Sequence, residues 1–217
     1  MSRTPALIFV GPSGVGKNTV AEWILNAEHT PFSLSRSLTT RQARDTFASE
    51  YLYVSEEEFR ARIDARKMLE YTKYGENYYG TPMSEIERCE EEGKIPFLIL
   101  NIGGVENIRR DYPDLPIYAV YLYAEPELIL ERLKSRDLGD GCEDNLAHIR
   151  KRMENNREDY LALAAGQYRL YDAFVENIYS DEAAALALEL YERREPLCEA
   201  RAEEMRKFFI RAAEYEF

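Results

Sequence analysis

The sequence predicts an α/β fold, a three-layer α/β/α arrangement around a central parallel sheet with an inserted lobe and a lid. Three observations predict it. A short apolar run, Ala6 to Val10, passes through a glycine-rich turn into residues of helical period. Two later apolar runs, Phe97 to Leu100 and Ile117 to Tyr123, are each followed by a helical pattern. Two stretches, about Ser35 to Tyr79 and Asp137 to Asp144, break that alternation.

The elements follow in order. Ala6 to Val10, bounded by Pro5 and Gly11, reads as a buried strand, because strands covered on both faces carry no polar alternation. After Gly16, Val20, Trp23, Ile24 and Ala27 recur at helical spacing. The segment from Ser35 to Tyr79 is rich in Arg, Thr and Tyr. It holds strand-like pieces, Tyr51 to Val54 and Met68 to Tyr74, around a charged helix. The helix after Tyr123 opens with Pro126 in its first turn, where the missing N–H is not needed. Gly139 and Gly141 among acidic residues mark a mobile loop. From Asp181 onward the chain predicts two helices parted near Pro196. The expected layout is a single domain over residues 1–217, with core 1–34, 82–136 and 153–195, lobe 35–81, lid 137–152 and C-terminal helical extension 196–217.

An apolar fraction of 45% suffices for one buried core. The formal charge of −12 argues against a general polyanion binder, so no nucleic-acid partner is expected. No apolar run is long enough to span a bilayer and the opening residues carry no cleavable signal pattern, so no membrane partner and a cytoplasmic location are expected. Cys89, Cys142 and Cys198 have neither disulfide nor zinc spacing and read as reduced thiols. Two basic groups stand out, Arg36, Arg41 and Arg44, then Arg150, Lys151, Arg152 and Arg157. Composition leaves them open as solvated faces or as sites for a small anion.

Gly11, Pro12, Ser13, Gly14, Val15, Gly16 and Lys17 satisfy G-x-x-x-x-G-K between a buried strand and an amphipathic helix. Glycines there let successive N–H groups curl around phosphate oxygens, and Lys17 adds a point charge. The usual hydroxyl after the lysine is replaced by Asn18, with Thr19 next. The Asn18 amide oxygen is the candidate protein ligand for Mg²⁺, which tolerates few protein contacts.

Ser37, Thr39, Thr40, Arg41 and Arg44, then Glu50 and Tyr51, then Glu70, then Tyr79, Gly80 and Thr81, together resemble the acceptor lobe of guanylate kinases. The string Gly-Pro-Ser-Gly-Val-Gly-Lys is also that family's form of the phosphate loop, and the resemblance runs from the first strand to about residue 195. It implies a P-loop nucleoside monophosphate kinase that moves the γ-phosphate of ATP to GMP or dGMP, with Mg²⁺. ATP would lie on Gly11 to Thr19 and, on its adenine side, Asn177. The acceptor phosphate would be held by Arg41, Arg44, Tyr51 and Tyr79, and guanine by Glu70, Ser37, Thr81 and Asn101. A carboxylate and hydroxyls that pair with guanine are left unpaired by adenine, which gives steep discrimination. Arg136 and Arg152 match lid arginines, so Lys17, Arg41, Arg136 and Arg152 form the expected catalytic set. Closure of lobe and lid is expected to exclude water.

Departures from the family pattern are Asn18, and Ile99 and Asn101 where two aspartates are usual. Two rivals stay open: a related kinase for another phosphorylated acceptor such as a ribose bisphosphate, and a non-catalytic binding module. Leu197 to Phe217 lie beyond the resemblance and are open to packing on the core or on another subunit of a homo-oligomer.

Overall fold

Five residues with no polar member, Ala6–Val10, are wholly buried and form β1. The computed structural model describes residues 4–42, 51–74, 76–137 and 143–217. In chain order β1 is followed by α1 (Lys17–Leu25), β2 (Phe32–Leu34), β3 (Ser37–Thr39), β4 (Tyr51–Tyr53), α2 (Glu56–Asp64), β5 (Met68–Tyr74) and β6 (Asn77–Pro82). Then come α3 (Met83–Glu91), β7 (Ile95–Ile99), α4 (Ile102–Asp111), β8 (Ile117–Tyr123), α5 (Pro126–Asp137), α6 (Glu143–Ala164), β9 (Ala173–Glu176), α7 (Ser180–Arg193) and α8 (Glu199–Ala213).

The chain forms two compact units, one of residues 1–8 and 24–117, the other of 9–23 and 118–217. In the first, β2, β7 and the opening residues of β1 lie side by side, with β2 and β7 parallel and Phe32 opposite Ile95. A second sheet in this unit runs β4-β3-β6-β5, with β3–β4 parallel and β6 antiparallel to both β3 and β5. Its core is Leu38, Phe59 and Met68, packed by Leu52, Val54, Ile63 and Tyr78. Phe59 comes from α2, whose start is fixed by Ser55: its hydroxyl accepts from the Glu58 N–H at 3.1 Å, and three glutamates in the first turn complement the helix dipole.

In the second unit the order runs from the end of β1 through β8 to β9, with β8 and β9 parallel and Val120 opposite Ala173. α8 lies against α6, and its fully buried Phe209 meets Tyr121, Tyr160 and Phe174 with ring centroids 5.4, 6.1 and 5.9 Å away. The tail after Leu197 therefore packs on its own chain.

One sequence expectation is corrected. Helix α1 buries Val20, Ala21 and Ile24, whereas Trp23 is 58% exposed and Ala27 is exposed beyond the helix end. The helix stops at Leu25, so the apolar period did not extend as far as Ala27. No helix of the described residues is long and apolar enough to cross a membrane.

Candidate active site

The phosphate loop links β1 to α1 within the second unit. Gly14 and Gly16 have φ of 87° and 93°, a region that L side chains rarely occupy, and a Cβ on Gly16 would fall 2.7 Å from Asn177 Nδ2. The loop's carbonyls are held by donors from four places. Lys17 Nζ donates to the Gly11 and Pro12 carbonyls at 2.8 and 3.0 Å. Asn156 Nδ2 donates to the Ser13 carbonyl at 3.0 Å, while Asn156 Oδ1 accepts the Ser13 N–H at 2.8 Å. The Val15 carbonyl accepts from Asn177 Nδ2 at 2.7 Å and from the Arg132 guanidinium at 3.0 Å. Fixing carbonyl oxygens on donors matters in a loop built for phosphate, because an oxygen that turned inward would repel the anion.

Burial lowers the Lys17 pKa to about 8; nearby Asp159 works to raise it and Arg136 to lower it further. Asp159 is raised to about 6, by burial first, with Lys17 opposing. Each of the two charges thus favours the other. Asn18 and Thr19 are exposed in the first turn of α1. Arg136 lies exposed in the last turn of α5 and Arg152 half-buried on α6. The Asn177 side chain is wholly buried, and its Nδ2 on the Val15 carbonyl braces the loop.

The acceptor-type residues lie in the first unit. Glu70 on β5 faces Thr81 on β6 across an antiparallel register, which brings the side chains together: the Thr81 hydroxyl donates to Glu70 Oε1 at 2.9 Å. Both are buried, at 6% and 0% exposure, and burial raises the Glu70 pKa to about 7 against the opposing Thr81 hydrogen bonds. The first turn of α4 runs beside them. An ideal Cβ on Gly104 would be 3.2 Å from Glu70 Oε2 and 3.4 Å from Asn101 Oδ1. Asn101 caps α4, its Oδ1 accepting the Gly104 N–H at 2.8 Å.

Arg41 follows β3 and stands over the Tyr51 ring at 5.5 Å, with Tyr51 6.1 Å from Tyr79 and 6.4 Å from Tyr53. Burial opposes the Arg41 charge, but a Tyr53 hydrogen bond and the Tyr79, Tyr53 and Tyr51 hydroxyls raise its pKa above the ordinary value. Arg41 Nε is buried with no hydrogen-bond partner among the described residues, a donor suited to an anion. Ser37 is half-buried on β3. Arg44 and Glu50 lie outside the described residues.

Sequence reasoning missed Tyr53, Arg132, Asn156 and Asp159. Tyr53 offered a weak signal, two residues from Tyr51 on one strand face. Asn156 and Asp159 stand four and seven residues after Arg152, one helical stripe that could have been read from that arginine.

The family model described as guanylate kinase matches residues 3–190. Similar curated proteins include guanylate kinases of Enterococcus faecalis, 38% identical over 79% of each chain, and of Lactiplantibacillus plantarum, 40% identical over 68% of this chain and 69% of that one. The guanylate kinase of Bacillus subtilis is 32% identical over 87% of this chain and 90% of its own. Among solved structures, guanylate kinase from Anaplasma phagocytophilum superposes with a TM-score of 0.58 at 20% identity, covering 92% of this chain and 90% of that one, which shows the shared α/β fold. With a family model spanning most of its length and relatives of this similarity, the chain belongs to the guanylate kinase family.

Proposed function

We propose that this chain transfers the γ-phosphoryl group of ATP to the 5′-phosphate of GMP or dGMP, giving ADP and the nucleoside diphosphate. The observation that carries the guanine assignment is the buried Glu70 carboxylate held by Thr81. Two carboxylate oxygens match the N1–H and exocyclic amine of guanine, while adenine offers N1 as an acceptor and would leave a buried charge unpaired. Ser37, Thr81 and Asn101 complete the base site in this reading, and Arg41, Arg44, Tyr51 and Tyr79, joined by Tyr53, hold the acceptor phosphate. The lobe is residues 35–81 and the lid 137–152.

On the donor side, Gly11 to Thr19 receive the phosphates of MgATP, and Asn18 is the proposed protein ligand of the ion. Mg²⁺ offsets phosphate charge when bound; few protein ligands are needed because it retains phosphate oxygens and water. An acceptor phosphate oxygen is nucleophilic at neutral pH without a general base. The work of Lys17, Arg136 and Arg152 is therefore alignment and neutralisation of charge on the transferred group. The cytoplasm is the proposed location.

The test is ADP release from MgATP with GMP, dGMP, AMP, CMP, UMP and ribose phosphates in turn. Turnover with GMP and dGMP at least about 100-fold above AMP is expected, and it should vanish in Lys17→Ala. Equal turnover of AMP and GMP would remove the guanine assignment.

A further inference from the structure

Asn156 meets both sides of a single loop residue. The Ser13 N–H and the Ser13 carbonyl, bonded to Oδ1 at 2.8 Å and Nδ2 at 3.0 Å, belong to the two peptide planes flanking one Cα. One amide thereby fixes both φ and ψ of Ser13. The side chain is 2% exposed and reaches the loop across 143 residues of sequence, so the conformation is imposed by α6 and not by the loop's own composition. No other loop residue has both of its main-chain groups bonded to one side chain among the described contacts. Asn156 has Arg152 one turn before it and Asp159 one turn after, and Asp159 acts electrostatically on Lys17. The next residue, Tyr160, stacks on Phe209 of α8, which backs the same helix.

We propose that Asn156 is a positioning residue for ATP: it keeps the Ser13 carbonyl turned onto its own amide, away from incoming phosphate, and so ties triphosphate affinity to the placement of α6. This rests on the ATP-binding half of the function above. Without the clamp the Ser13 carbonyl is free to rotate towards the anion, and the Ser13 N–H and carbonyl both lose their partner. Such a loss is felt by the donor nucleotide and not by the acceptor, whose residues lie in the other unit.

The experiment measures the dissociation constant for MgATP by equilibrium dialysis, and KM for ATP and GMP, in the full chain and in Asn156→Ala. Alanine should weaken ATP binding about tenfold, the effect of leaving buried groups unpaired, with KM for GMP within about twofold of wild type. Asn156→Asp keeps the acceptor for Ser13 N–H but sets a carboxylate against the Ser13 carbonyl, and should bind ATP more weakly than the alanine variant. If alanine does not fold, Asn156→Ser, able to meet only one of the two Ser13 groups, is read for the same ATP-to-GMP split. Unchanged ATP affinity in a folded variant overturns the proposal, as does equal weakening of ATP and GMP. Because ATP binding is measured without acceptor, wild type that binds ATP and fails to phosphorylate GMP sinks the function above while leaving this inference standing.

Discussion

Replacing Glu70 by Gln should flatten the pH dependence of stability. Burial moves this carboxyl from an ordinary value of 4.5 to about 7. At about 1.4 kcal/mol for each pH unit of displacement, ionising it costs the folded state on the order of 3 kcal/mol. The sign follows from proton counting: between pH 4.5 and 7 the native chain keeps a proton that the unfolded chain has released. Stability therefore falls as pH rises through that window and levels off above it. Glutamine keeps an oxygen for the Thr81 hydroxyl and carries no charge. Urea unfolding followed by circular dichroism from pH 4.5 to 8.5 should show the variant gaining about 3 kcal/mol on wild type across the range. Parallel curves for the two proteins would refute a buried, proton-holding Glu70. The same variant should lose guanine preference, and wild-type KM for GMP should fall as pH rises from 6 to 8, since the carboxylate is the form that accepts both guanine donors.

Four further outcomes are expected. Lys17, held at about 8 in the free protein, loses charge as pH rises past that value, so ATP should bind more weakly at pH 9 than at pH 7 in equilibrium dialysis. Arg41→Lys removes a planar fork from a ring of tyrosines and should raise KM for GMP about tenfold while sparing that for ATP. Gly104→Ala places a methyl 3.2 Å from Glu70 Oε2; helix propensity gains up to about 1 kcal/mol. The same methyl lies 3.2 Å from Leu100 Cβ, so crowding offsets that gain, and a KM for GMP raised roughly three- to tenfold with KM for ATP unchanged is the signature of crowding at the base site. Phe209→Ala, which empties a site ringed by Tyr121, Tyr160 and Phe174, should cost about 3–5 kcal/mol in chemical unfolding.

Much of this molecule is legible one residue at a time. β1, β8 and the start of α5 at Pro126 follow from unbroken apolar runs and from the one helical position that welcomes proline. Glu70 and Thr81 are recognisable as a pair because family resemblance and strand register agree. Helix α1 is less transparent: Trp23 fits the apolar period, yet Ala21 takes the buried place and the indole faces outwards. Asn101 has the composition of a base ligand, and only the fold reveals that its carbonyl caps α4. Asn177 resembles a nucleotide contact in sequence, and only the fold reveals its bond to the Val15 carbonyl. Asn156 and Arg132 escape notice for the same reason, since each bonds a main-chain carbonyl more than a hundred residues away, and main-chain atoms carry no sequence signature.

The fixed carbonyls of the phosphate loop have a thermodynamic corollary. A segment whose peptide planes are already locked has little freedom left to surrender when a triphosphate docks, so association should be rapid and its ordering entropy small. Calorimetry would register this as a modest entropic penalty, and deuterium uptake at the Ser13 amide, bonded to Asn156 Oδ1, would already be slow before any nucleotide is added.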